Sequence, residues 1–439
     1  MNMRPARFDT TFILLFAVML VIAMGNTALQ TVLPALGRRL GAPDAVVAAV
    51  FSVSALLWVI AAPFWAARSD RHGRRAMVLV GIGGFTLSLF LCGLFLMAGI
   101  NGWLAPLATF LAFILGRVIY GSFGSAAPPA VQALVAGRTS REERTKALTL
   151  LASAFGLGTI IGPAVAPYLV IGDLWPGGPE VGLAGPAFAF AMVGAAIWIA
   201  VLRYLPREET ASHGAATAYP TIGGQSSGAS VTAATAEGAV VKIGYFDPRI
   251  RIWIVIGLVM GHAQAMTSQA VGFLVIDRLA VDPVAALEPT GLVLMMGAGS
   301  ALLAQWGLIP LLDLKPRALA LWGMAIAAVG CIATGTAESL YGIALGYALA
   351  SLGFGFVRPG YTAGSSLAVG PEAQGAVAGK VTSINGAAFV LGPSIGVGMY
   401  ELWRPLPYLA AAIGLVAVTV YAWISLTPSD RDPEAFPER

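Results

Sequence analysis

The sequence predicts an all-α membrane protein, with twelve transmembrane helices arranged as two pseudo-symmetric six-helix halves. Three observations carry that prediction. Of 439 residues, 57% are apolar and only 11% charged, less than half the charge of an average soluble chain. The apolar residues fall in runs of roughly 20 or more, the length a helix needs to cross a bilayer. The second half of the chain also repeats landmarks of the first at a fixed offset.

The runs lie at about 12–36, 45–67, 76–99, 104–134, 146–170, 184–204, 251–276, 288–312, 317–337, 339–366, 376–400 and 406–426, here spans 1 to 12. They are continuous and do not alternate with period two, so they read as helices and not as strands of an outer-membrane barrel. Arg4 and Arg7 ahead of span 1 imitate a signal peptide. That run is too long for one, contains Pro34 and leads straight into eleven more, so it is expected to stay attached.

Lys and Arg concentrate in loops that remain in the cytoplasm. With the N-terminus inside, twenty of the 26 basic residues are cytoplasmic, Arg38, Arg39, Arg278 and Arg404 lie outside, and Arg117 and Arg358 fall within spans. Both termini are then cytoplasmic, in a multi-pass protein expected in a bacterial cytoplasmic (inner) membrane. The net charge of +4 gives no nucleic-acid-binding face. Cys92 and Cys331 sit far apart inside apolar runs, without metal-site or disulfide spacing, and read as packing residues.

Between spans 6 and 7 the stretch around 206–242 is rich in Ala, Gly, Ser and Thr, too little bulk to bury, and reads as a cytoplasmic linker. It divides the chain into an N-terminal half at 1–205, a linker at 206–250 and a C-terminal half at 251–439. A shift of 230 places Gly116 on Gly346, Pro129 on Pro359, Ala133 on Ala363, Glu142 on Glu372, Ser153 on Ser383, Gly156 on Gly386 and Gly162-Pro163 on Gly392-Pro393. A shift of 239 places Gln30 on Gln269 and Arg39-Leu40 on Arg278-Leu279. Spans 4–5 thus repeat as 10–11 and span 1 as span 7. Two like-oriented halves imply a pseudo-twofold axis along the membrane normal, with a site where they meet.

Three local patterns carry a family resemblance. The turn after span 2, RSDRHGRR, contains Asp70, Arg71, Gly73, Arg74 and Arg75; span 4 carries Arg117 followed by Gly121; span 5 reads GLGTIIGPAVAP, with Gly158, Gly162 and Pro163. Together with twelve spans in two repeats, these resemble the major facilitator superfamily and, within it, the twelve-span drug/metabolite:proton antiporters. Ala66 and Arg68 depart from the usual first pattern, and Ala166-Pro167 stands where the third usually has two glycines. The resemblance implies export of drugs or small metabolites by alternating access in exchange for protons. A facilitator, or an exporter of one narrow substrate without proton coupling, is the alternative.

Physical readings stand beside the resemblance. A tight turn between spans 2 and 3 needs a residue free to take positive φ, which Gly73 supplies, while the arginines hold the turn at an anionic inner leaflet. Asp70, together with Arg71, Gly73, Arg74 and Arg75, is expected to form a gate that helps close the cytoplasmic side; the plainer reading is a topology anchor. Gly158, Gly162 and Pro163, with Gly392 and Pro393 opposite, permit close helix contact and a local bend, as hinge or as packing.

Ionisable and polar residues within spans are the candidates for a substrate or proton site. Arg117, mid-span, should face a wet cavity or a polar partner. Arg358 precedes Pro359, where it could face the cavity, snorkel outward or bond carbonyls the proline leaves free. His262 is the only histidine in a span and is a candidate substrate or proton site, or a hydrogen-bonding core residue. Asn26, Gln30 and Gln269 suit a central cavity, with Tyr120 and Trp58 as possible apolar contacts. No Asp or Glu falls in the middle of a span; Asp277, Glu288, Asp313 and Glu401 lie at span ends. The sequence contains neither HExxH nor two embedded carboxylates, so it does not read as an intramembrane protease. The partners expected are lipid, protons and a small-molecule substrate that is anionic, zwitterionic or neutral amphipathic, since arginine stays charged and no embedded acid offsets it. No cofactor, metal or nucleic acid is expected, and the chain is expected to be a monomer.

Overall fold

The computed structural model describes residues 10–139, 141–206, 243–370 and 373–426; the side chains of residues 67, 70, 71, 141–146 and 149 also lie outside the described set. Residues 207–242 of the linker, Glu372 and the side chains of Asp70, Arg71 and Glu142 therefore fall outside the described residues.

Among the described residues, twelve helices are long and apolar enough to cross a bilayer: Thr10–Leu40, Asp44–Ala66, Arg74–Ile100, Pro106–Arg138, Leu150–Leu169, Gly185–Tyr204, Arg251–Leu279, Leu287–Leu312, Pro316–Thr336, Leu340–Leu367, Gln374–Leu402 and Leu406–Ser425. They correspond one to one with the twelve runs in the sequence. Because successive spans alternate in direction, one end of the bundle carries the start of spans 1 and 7 and the end of spans 6 and 12; it is called the linker end, and the opposite one the far end. Bulky apolar side chains such as Leu115, Met192, Trp322, Leu345 and Ile413 stand exposed around the bundle, where only lipid can receive them.

Local sequence sets the departures from regular helix. Span 4 tightens into a 3₁₀ turn at Gly124–Ala126 and resumes as α-helix at Ala127, because Pro128 and Pro129 have no N–H to bond the carbonyls of that turn. Span 8 widens into a π-turn at Leu303–Leu308, ending just before Pro310. Spans 2 and 3 meet at Gly73, whose φ of +86° lets the chain reverse in a single residue. Two short strands that no periodicity announces, β1 (Ile171–Asp173) and β2 (Glu180–Gly182), form an antiparallel hairpin between spans 5 and 6, pairing Ile171 with Gly182 and Asp173 with Glu180. Arg39 grips Glu180 with two bonds of 2.8 Å, so the hairpin is tied to the far end of span 1.

The packing repeats as the sequence offsets require. Span 1 packs on spans 5 and 6, and span 7 on spans 11 and 12; span 3 packs on 4 and 6, and span 9 on 10 and 12. Glycines make the closest of these contacts. A Cβ on Gly158 would lie 2.5 Å from Ala23 Cβ in span 1, and one on Gly392 would lie 2.5 Å from Ala265 Cβ in span 7. Between the halves, span 2 packs on span 11, span 8 on span 5, and span 1 on span 7. The first two pairs exchange under the pseudo-twofold.

Arginines fasten the linker end within each half. Arg75 donates to the Leu202 carbonyl at 2.6 Å, joining the start of span 3 to the end of span 6, and Arg317 donates to the Leu426 carbonyl at 2.8 Å, joining span 9 to span 12. Arg74 is buried and donates to the Ala133 carbonyl of span 4 at 2.9 Å. Arg75 and Arg317 thereby meet the negative ends of helices. These bonds of Arg74 and Arg75 run within the first half.

Candidate substrate cavity between the halves

Where the halves meet, a cavity of about 140 Å³, part of it open to the surroundings, is lined by both. The first half contributes Asn26, Gln30, Phe51, Trp58, Arg117, Tyr120, Thr159 and Pro163; the second contributes Gln264, Ser268, Gln269, Tyr347, Ser351, Phe389 and Pro393. Among the described residues Arg117 is the one charged side chain in the lining, which holds no Asp, Glu or His.

Arg117 is seated by its neighbours in span 4. A Cβ on Gly121 would lie 2.6 Å from the Ser54 carbonyl oxygen and one on Gly116 2.8 Å from Cys92 Sγ, so span 4 lies close against spans 2 and 3. The guanidinium is 2% exposed. Its Nη2 donates to Asn26 Oδ1 at 2.7 Å, and its Cζ stands 4.3 Å from the Tyr120 ring centre and 5.7 Å from that of Phe51. The Trp58 ring is tilted by 50° to that of Tyr120, with centres 5.2 Å apart. Nε and Nη1 of Arg117 and Nε1 of Trp58 are buried without partners.

The symmetric glutamines face each other across the axis. Gln30 Nε2 donates to Gln269 Oε1 at 2.7 Å and to the Ser268 carbonyl at 3.3 Å. Gly162-Pro163 and Gly392-Pro393 flank the cavity from spans 5 and 11, and each proline lacks the N–H that would bond the carbonyl four residues earlier, on the lining residues Thr159 and Phe389. The bends thus offer neutral acceptors beside the cavity.

Two candidates lie elsewhere. Arg358 does not line the cavity and does not snorkel: it is 2% exposed, packed one layer behind, and donates to Oε1 of the lining residue Gln264. His262 is absent from the lining, and its Nδ1 lies 2.8 Å from the Leu258 carbonyl of its own helix. It stands two residues from Gln264, about 200° around the helix, so the two cannot share a face.

Beyond the glutamines, polar contacts seal the far end. Ser52 and Ser394 are joined at 2.8 Å, and Glu401 Oε1 accepts from the Ala45 N–H at 3.0 Å. A single nitrogen, Arg38 Nη2, donates to Asp44 of its own half at 2.6 Å and to Asp277 of the other at 3.1 Å. Asp277 also accepts from Tyr400 at 2.7 Å and has Arg404 at 3.5 Å. Sequence reading placed Asp277 and Glu401 at span ends but missed this lock. The available signal was that the few outer arginines share an end with Asp44 and Asp277.

Two six-helix halves around a polar cavity, closed at the far end by contacts between them, define the architecture of a membrane transporter. The chain belongs to the Major Facilitator Superfamily, whose sequence profile matches residues 15–393. It is similar to "Multidrug resistance protein 2" of Bacillus subtilis, 28% identical over 160 residues, which cover 36% of this chain and 37% of that protein. It is also similar to "Tetracycline resistance protein, class B" of Escherichia coli, 31% identical over 163 residues, again 36% and 37%. The chain therefore matches little more than a third of the length of these curated relatives. Among solved structures, a bacterial homologue of the human lysosomal transporter Spinster, inward-facing and occupied, superposes with a TM-score of 0.70 over 99% of this chain and 100% of that one, at 14% identity. That likeness concerns the fold alone.

Proposed function

We propose that the protein is a secondary active transporter that exports drugs or small metabolites by alternating access. The observation that carries the reading is the cavity on the pseudo-twofold axis, lined by both halves, with the cross-half hydrogen bonds and ion pairs of the described residues running from Gln30 and Gln269 toward the far end. The charge asymmetry of the loops supports a cytoplasmic linker end. On that orientation the present arrangement is closed to the outside. The drug-resistance names of the bacterial relatives support export as the direction.

Exchange for protons belongs to the same proposal, and one observation favours the alternative of a carrier without proton coupling: the lining has no carboxylate or histidine. The titratable acids that touch both halves are in the far-end lock, where Asp277 and Glu401 reach residues of the first half. Uptake into inverted vesicles separates the readings. A proton antiporter accumulates substrate when the lumen is made acidic and stops when nigericin collapses the gradient. Equal uptake with and without the gradient would leave the uncoupled carrier.

A further inference from the structure

We propose that the cavity binds amphipathic organic anions, with a carboxylate or sulfonate held by Arg117 and Trp58 and an apolar body laid against the aromatic wall. The inference deepens the carrier reading above and rests on it for transport, though not for binding.

The donors and acceptors around the cavity are unequal. Nε and Nη1 of Arg117 and Nε1 of Trp58 are three N–H groups withdrawn from water with nothing to receive them, and both side chains border the cavity. Buried donors without partners are costly, most of all on a charged group. The amide oxygens nearest the arginines are already taken, in the same way in each half. Arg117 of span 4 holds the oxygen of Asn26 in span 1, and Arg358 of span 10 holds the oxygen of Gln264 in span 7. Each arginine turns the amide so that its oxygen faces the guanidinium. The remaining acceptors are neutral carbonyls and hydroxyls, and no acid in the lining offsets the guanidinium.

A carboxylate meets this arrangement by replacing Asn26 on Nη2 while also taking Nη1. The exchange substitutes a charged, bidentate acceptor for a neutral single one. Trp58 and Arg117 both neighbour the Tyr120 ring, at 5.2 and 4.3 Å, and both line the cavity. Phe51 and Phe389 supply apolar surface from either half. A lipophilic cation of equal size would lose its hydration beside a like charge.

Calorimetric titration of the purified full-length protein with naphthoate, naphthylmethanol and naphthylmethylammonium tests the inference, since the three share a ring and differ in charge. Naphthoate is expected to bind at least tenfold more tightly than the ammonium, with the alcohol between. Trp58→Phe keeps the ring and loses the N–H; it should weaken naphthoate three- to tenfold and leave the alcohol unchanged. Arg117→Gln should abolish the anion preference, and Arg117→Lys should retain part of it. Equal or tighter binding of the ammonium, no binding of any probe, or an anion preference that survives Arg117→Gln would overturn the proposal. If Arg117→Gln fails to fold, the wild-type ranking and Trp58→Phe still decide. Tight naphthoate binding without naphthoate counterflow in vesicles would count against the carrier reading and leave the anion site standing.

Discussion

At the scale of single residues, Arg38 controls the far end because one nitrogen serves two carboxylates in different halves. Asp277→Asn removes the charged acceptor across the interface and leaves the Arg38–Asp44 pair intact, so the halves should part more often. A charge-assisted hydrogen bond contributes about 1.5–3 kcal/mol, so a cysteine placed at Ser52 should react with an impermeant maleimide about tenfold faster in that variant. An unchanged rate would mean that the ion pair does not hold the end closed. Gly162 makes the opposite kind of contact, permanent and within one half: a Cβ there would lie 2.5 Å from the Met24 carbonyl oxygen. Gly162→Ala should therefore destabilise the protein by about 1–3 kcal/mol through overpacking, read as a lower melting temperature, and a neutral result would show that spans 1 and 5 separate easily. Much of this was legible in the sequence, since polar side chains in apolar runs and a Gly-Pro repeated at a fixed offset stand out. Which face of a helix a residue takes was not. His262 and Arg358 both looked eligible for the cavity, and only the rotation of spans 7 and 10, set by packing against their neighbours, takes them out of its lining.

Elements were legible where a long apolar run was the cause and illegible where it was not. The twelve spans follow from hydropathy, and their ends from turn residues such as Gly73. The hairpin of β1 and β2 has three-residue strands, too short for any periodic signal, and is held by long-range bonds from Arg39 and Asn101 to Glu180. The π-turn in span 8 likewise has no sequence signature beyond the proline that follows it. Arg317 was visible only as a topology signal and Arg75 as part of the turn after span 2, yet each fastens the entry of one span to the exit of another. Replacing either with alanine should cost about 0.3–1 kcal/mol, the usual worth of a cation at an exposed helix C-terminus. The expected signature is a small fall in melting temperature with the substrate affinity unchanged; a loss of transport without loss of stability would instead point to a gating role.

For the whole molecule, the repeat in the sequence and the repeat in the packing are one fact, because like-oriented halves with equivalent helices pair spans 2 with 11 and 8 with 5. Loop charge predicts the orientation. A reporter active only in the cytoplasm should be active both within 215–235 and at the C-terminus, and inactivity at either place would contradict the assigned sides. That the halves rock about the cavity is the central claim, and cysteines at Ser52 and Ser394 test it most directly, since their hydroxyls are 2.8 Å apart across the far end. Transport by the oxidised Ser52→Cys/Ser394→Cys protein should fall to background and return on reduction, with each single variant active throughout. Undiminished transport by the fully cross-linked protein would contradict the account.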